Sequence, residues 1–148
     1  MNAHSVPDRA ALEDYLLLVA RVFMSSLFVF SGLEKITDYN GAVGFAAFHG
    51  VPAAWLLMPA AIAVELGAAA AVIAGWHTRI AAAALIPWTL ILGVWFHQFW
   101  SSPPPMWQVS IDDFFHHFVM AGGFVCLAVC GPGRMSMDAR DASGMKRL

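Results

Sequence analysis

The chain is predicted to be all-α, a four-helix transmembrane bundle, on three observations. Hydrophobic residues make up 59% of its 148 residues and charged residues 12%, against about 45–50% and about 25% in an average soluble domain. Mean hydropathy is +0.66, so there is too little polar surface to cover a water-exposed globule. Four apolar segments each reach the roughly 17–25 residues that cross a hydrocarbon core as a helix. Four spans cannot close a barrel, and open strands in lipid would leave backbone groups unpaired. A soluble enzyme, a disordered tail and a disulfide-stapled secreted module are excluded.

The first span covers residues 15–33 and is interrupted by Arg21. It continues into Gly32, Leu33, Glu34 and Lys35 without an A-x-A-like site, so it is expected to be retained and not cleaved as a signal peptide. The second span covers residues 53–75 and carries Glu65, and the third covers residues 80–96. Pro87 should remove one backbone bond from the third and kink it. The fourth covers residues 114–131. Residues 1–14 form a cytoplasmic N-terminal segment, 15–131 the membrane domain and 132–148 a cytoplasmic tail. Small residues, Ala68 to Ala71 with Gly67 in span two and Ala81 to Ala84 in span three, let helix backbones approach closely.

Four spans put both termini and the Trp76-His77-Thr78-Arg79 turn on one side. Arg9, Arg79, Arg134, Arg140, Lys146 and Arg147 fall there and Lys35 on the other, which places both termini in the cytoplasm by the positive-inside rule. Of the two longer outer loops, residues 36–52 would lay Phe45 and Phe48 in the interface as a short amphipathic turn. Residues 97–113 contain Pro103, Pro104 and Pro105, which favour a stiff extended conformation. Trp95, Trp100 and Trp107 lie at the outer boundary, where indole rings anchor.

Ionisable side chains inside the hydrocarbon are the informative exceptions. Each costs about 2.5–3.5 kcal/mol at mid-helix and normally faces protein or water with a partner. On span one, Ser25, Phe28, Gly32 and Lys35 follow Arg21 at offsets of 4, 7, 11 and 14 residues. At about 100° per residue they stay within about 40° of Arg21, a polar and small stripe along one face. Glu34 should point away from it into headgroups. Glu65 has no cation in its own helix, so Arg21 and Lys35 are its available partners. His97 closes span three while His116 and His117 open span four, with Asp112 and Asp113 one turn earlier. Lys35, His97 and one of His116 and His117 would then line an outward-opening cavity with Glu65 at its floor.

Plainer expectations stand beside these. An Arg21–Glu65 pair would fix helix register without doing chemistry, and interfacial imidazoles need no catalytic role. His49 and His77 are expected to be solvated loop residues. Cys126 and Cys130 are expected to be buried, inert thiols, and Gly122-Gly123 a close-packing point. A haem between spans three and four, ligated by His97 with His116 or His117, is disfavoured, and no metal site is assigned. No Walker A, dinucleotide or H-E-x-x-H motif occurs, and no basic cluster suits nucleic acid. Any redox carrier must therefore be lipid-borne or supplied by a partner.

Five runs carry a family resemblance: RVFMSSLFVFSGLEKITD in span one, GVP ahead of Glu65, GWHTR before span three, HQFW after it and GPGRMSMD after span four. Over residues 21–138 they resemble the DoxX family of four-span membrane proteins, which is similar to the small subunit of thiosulfate:quinone oxidoreductase. The first and last runs are the most specific. Residues matching the pattern are Arg21, Gly32, Lys35, Glu65, Arg79, His97 and Gly131-Pro132-Gly133-Arg134 with Ser136 and Asp138. The His116-His117 pair and the proline run fall outside it.

The resemblance implies a multi-pass protein of the bacterial inner membrane, a subunit associated with respiratory or thiol redox chemistry. A quinone or similar apolar ligand would sit in the outer half of the bundle. Lys35 and His97 would bond its oxygens, His116 or His117 would exchange protons with outer water, and Glu65 with Arg21 would set the charge below. Expected partners are lipid, a soluble redox enzyme or respiratory complex, and in some arrangements a second copy of the chain. The alternative is a non-catalytic anchor or assembly factor for a soluble redox enzyme, with GPGRMSMD and the basic tail as its docking surface. A proton-coupled permease using Glu65 is a third reading.

Overall fold

The computed structural model describes residues 9–145, and these contain helices and turns with no strand. Lys146 and Arg147 of the expected basic tail lie outside the described residues. Helix α1 spans Arg9–Thr37, α2 Tyr39–Phe48, α3 Ala54–Ala74, α4 Thr78–Phe96, α5 Pro104–Cys130 and α6 Met137–Met145. Helices α1, α3, α4 and α5 are long and apolar enough to cross a membrane. The end of the bundle holding Arg9 and α6 is called basal here, and the opposite end distal.

The four long helices pack in the order α1, α3, α4, α5. Helix α1 lies along α3 and α4 along α5, the two pairs meet through α3 and α4, and α1 barely touches α5. The central core is Phe28, Ala69, Val72, Ala82, Leu85, Phe124 and Leu127. Ala69 and Ala82 are fully buried, as small residues must be where two backbones close up in lipid. Phe23, Phe30, Val119 and Val129 are 67–75% exposed, an apolar exterior that suits hydrocarbon and not water.

The second outer loop differs from expectation. Pro103, at φ −65° and ψ 154°, precedes α5, and Pro104 and Pro105 occupy its first turn. A proline lacks the N–H that would be unsatisfied there anyway, and its fixed φ suits a first helical residue. The prolines therefore start a helix where a stiff loop was expected, and α5 begins at Pro104 and not at 114. His116 and His117 sit well inside it. The first outer loop is likewise more ordered, since α2 is a ten-residue helix capped by the Asp38 carboxylate, which accepts from Gly41 N–H. Phe48 points outward from α2, 86% exposed.

Other expectations are also corrected. His49 caps α2, with its ring against Phe45 and Phe96 and its carbonyl accepting from Trp95 Nε1 at 3.0 Å; it ties α2 to α4. Cys126 and Cys130 are exposed on the outer face of α5 and not buried. Only Gly123 of the glycine pair is a close approach, where an added Cβ would lie 2.7 Å from Met24.

Candidate functional site

The polar side chains divide between the two ends of the bundle. At the basal end, Arg21 is fully buried. Its Nη1 donates to the Ile73 carbonyl at 3.2 Å and its Nη2 to that of Met135 at 2.5 Å. Arg21 therefore does not pair with Glu65. It clasps the last turn of α3 to the GPGRMSMD run, and the register pair considered from the sequence is not formed. Gly75, at φ +72°, leaves the room: a Cβ there would lie 2.2 Å from Arg21 Nη1 and 2.4 Å from Ser136 Cβ.

The rest of that run works on helix ends, whose first N–H and last C=O groups lack internal partners. The Asp138 carboxylate accepts from the backbone N–H of His77 at 2.7 Å and of Thr78 at 3.0 Å, where α4 begins. Partial burial pushes the Asp138 carboxyl up, but the bonds from Thr78 and His77 outweigh it and hold it below the usual aspartate range. Arg79 Nη1 donates to the carbonyls of Ala128 and Val129 in the last turn of α5. Arg134 pairs with Asp14 of α1 at 2.6 Å. One short segment thus ties α1, α3 and α4, and Arg79 adds α5.

At the distal end, Lys35 Nζ bonds Glu65 Oε2 at 2.9 Å. Helical side chains lean toward the N-terminus of their own helix, so Lys35 leans down into the bundle. It also bonds Ser31 Oγ, one turn below. Glu65 is fully buried, and its Oε1 has no hydrogen-bond partner. The Lys35 side chain is 21% exposed and reaches the wall of a cavity of about 490 Å³. That wall also holds Ser31, Glu34, Asp38, Phe45, Phe96, His97 and His117.

Ser31, Glu34 and Lys35 are spaced i, i+3 and i+4, one face of α1, and Asp38, just past its end, caps α2. This stripe is rotated from the buried one, Arg21, Ser25, Phe28 and Gly32; Lys35, expected to continue the buried stripe, is only half-buried. Glu34 lines both distal cavities and is exposed. The signal that could have found it was that spacing.

His97 caps the C-terminus of α4, and its Nδ1 lies 3.5 Å from Asp113 Oδ2 on α5. His117 stands beside it, ring centroids 5.0 Å apart, with its own Nδ1 2.8 Å from the Asp113 carbonyl. Gly93 makes this possible: a Cβ there would lie 2.9 Å from His117 Cβ. His117 lines the 490 Å³ cavity, whereas His116, 73% exposed and 3.8 Å from Asp113, lines only an adjoining one. The His97 and His117 rings lie side by side, tilted by 37°. Lys35, His97 and His117 line one cavity; Glu65, expected at its floor, is buried behind Lys35 and does not line it, His116 lies at its edge, and Arg21 is at the other end of the bundle.

The DoxX family model matches residues 16–98. The chain is 31% identical over 140 residues to the inner membrane protein YphA of Escherichia coli (strain K12), covering 95% of this chain and 100% of that protein. It is 35% identical over 127 residues to the inner membrane protein YqjF of the same organism, covering 86% of this chain and 92% of that one. No solved structure matches significantly. With four spans, a matching family model and these relatives, the chain is a multi-pass inner-membrane protein and belongs to the DoxX family.

Proposed function

We propose that this DoxX protein is a membrane subunit associated with respiratory or thiol redox chemistry, holding a quinone-like ligand in its distal cavity. Both termini face the cytoplasm, so the cavity lies in the outer half of the membrane. One observation carries the reading. Lys35 and His97, from different helices, line the same cavity of about 490 Å³, each backed by a carboxylate, Glu65 or Asp113. That volume is within the roughly 300–1,000 Å³ usual for small-molecule sites. Apolar walls (Phe45, Met58, Leu92, Phe96) with a few polar groups suit a flat, mostly apolar molecule bearing oxygens.

A bound quinone takes up two electrons with two protons. Lys35 donates a hydrogen bond to one ligand oxygen and His97 to another. Glu65 holds the Lys35 ammonium at the wall, and Asp113 orients the His97 ring. An imidazole offers one ring nitrogen as donor and the other as acceptor, so His97 and His117 pass protons between cavity and outer water. Purified protein should release a quinone on lipid extraction and show no haem band. A hydrogen bond to a charged group contributes about 1.5–3 kcal/mol, so Lys35→Ala should weaken decylubiquinone binding by about tenfold or more, and His97→Ala comparably. An extract without quinone, and no binding of added decylubiquinone, would overturn the reading.

The anchor reading retains one supporting observation, the exposed Met135 and Met137 on the basal surface. Asp138 of that run is spent on a helix end and Arg134 pairs with Asp14, so those methionines are the apolar surface the run offers a partner. Co-purification of a soluble redox enzyme, lost in Met135→Ser/Met137→Ser, is the expected result under that reading.

A further inference from the structure

We propose that the seam between α1 and α5 is a groove, open to the bilayer, that holds the hydrocarbon tail of the ligand whose head occupies the distal cavity. The inference rests on the quinone-like reading above and adds to it the class of ligand, a long-tailed membrane amphiphile, and its route of access.

The helix order creates the seam. Helix α1 packs mainly on α3 and α5 mainly on α4, and α1 meets α5 only sparingly, at Phe28–Phe124 and Met24–Gly123. Between them, on the distal side, lies a second cavity of about 600 Å³. Its α1 wall includes Leu27, Phe28 and Phe30, and its α5 wall Val119 and Met120. The lips are the most exposed of these: Leu27 48%, Phe30 68% and Val119 75%. They lie on the same apolar exterior that meets lipid, so the groove opens sideways into hydrocarbon.

The groove is continuous with the head-group cavity. Ser31, Glu34, Leu92, His97 and His117 line both. Polarity is graded along the groove, with Glu34, Asp113, His97, His116 and His117 at its distal end and Leu27, Phe28, Phe30, Val119 and Met120 below them. That gradient matches a molecule with a polar head and an apolar tail. A tail-bearing ligand fills the apolar end, and it reaches the site from the membrane without leaving hydrocarbon.

The test compares decylubiquinone, which has a ten-carbon tail, with the tail-less ubiquinone-0. Each is titrated against the full-length protein in lipid nanodiscs, and bound quinone is measured by extraction and chromatography. Val119→Trp fills the groove from one lip and Leu27→Trp from the other, while Val125→Trp is a lipid-facing control on α5 outside it. Each groove variant should weaken decylubiquinone at least tenfold and ubiquinone-0 less than twofold, with the control changing neither. Comparing variant with parent in the same lipid cancels the greater partitioning of the tailed quinone.

Equal effects on both quinones, no effect on either, or an equal effect of Val125→Trp would overturn the groove and leave the head-group site standing. If neither quinone binds the parent protein, the head-group reading fails, and the groove assigned to its ligand fails with it.

Discussion

The Lys35–Glu65 pair sets an asymmetry that can be measured. At 2.9 Å and an effective dielectric of about 20, the gross attraction is about 6 kcal/mol, most of it spent on desolvating the two charges. Removing one partner exposes that desolvation, and the partners are not equally placed. Lys35→Met would leave a fully buried carboxylate with no cation in bonding distance, which costs about 3–5 kcal/mol. Glu65→Met would leave an ammonium whose side chain is 21% exposed, still bonded to Ser31 and free to turn into the cavity. It should cost at least about 2 kcal/mol less than Lys35→Met. The double variant Lys35→Met/Glu65→Met should recover most of the loss, because exchanging a whole buried pair for apolar residues is often neutral. Reversible unfolding in mixed micelles, titrated with SDS, gives all four corners of the cycle. Equal losses from the two single variants, or additivity in the double, would refute the argument that Glu65 depends on Lys35.

Three further outcomes follow from close contacts elsewhere. Gly75→Ala should lose about 2 kcal/mol or more, from the left-handed backbone and from crowding against Arg21 and Ser136, read as a lowered unfolding midpoint. Asp138→Asn should cost about 1 kcal/mol at neutral pH, as loss of a helix cap does. Because the folded Asp138 carboxyl is held below its usual range, its contribution is complete above that range and is lost as pH falls through the lowered value. The parent should therefore converge on Asp138→Asn in acid, and a constant gap down to pH 2 would contradict this. Gly93→Ala, which meets His117 Cβ at 2.9 Å, should push α5 away and weaken decylubiquinone binding with every polar group still present; unchanged affinity would separate His117 placement from binding.

The spans and the buried face of α1 were legible in the sequence because both follow from composition and a 3.6-residue period. The partner of Glu65 was not. Arg21 and Lys35 were both available to it, each several residues of helix away in depth, whereas side-chain lean toward the helix N-terminus carries Lys35 toward Glu65. Arg21 leans toward the basal end, where carbonyls of Ile73 and Met135 await it. Pro103–Pro105 misled in the other direction. Proline content argues for extended chain until a helix start needs residues without N–H groups, and local sequence does not show which applies. Asp113 was visible as a possible partner for its near neighbours His116 and His117. Its closer approach to His97 on α4 depends on packing at Gly93 that no spacing rule encodes.

The two ends of the bundle handle polarity differently, and the difference bears on what the family pattern means. At the basal end, Arg21, Arg79 and Asp138 terminate on backbone groups of helix ends, beside the Arg134–Asp14 ion pair and an Arg21 Nε buried without a partner. The motif residues there mark a fold. At the distal end, charges meet charges across helices, Lys35 with Glu65 and His97 with Asp113, while Glu65 Oε1 stays buried without a partner. An unpaired buried acceptor costs about 1–3 kcal/mol, and a methionine or leucine at position 65 would avoid it. Stability alone does not call for a charged side chain there, whereas a site that binds oxygens and moves protons does. Chemical differences among proteins sharing this fold are therefore expected to lie at Lys35, Glu65, His97 and His117, and not in the GPGRMSMD run that best identifies them.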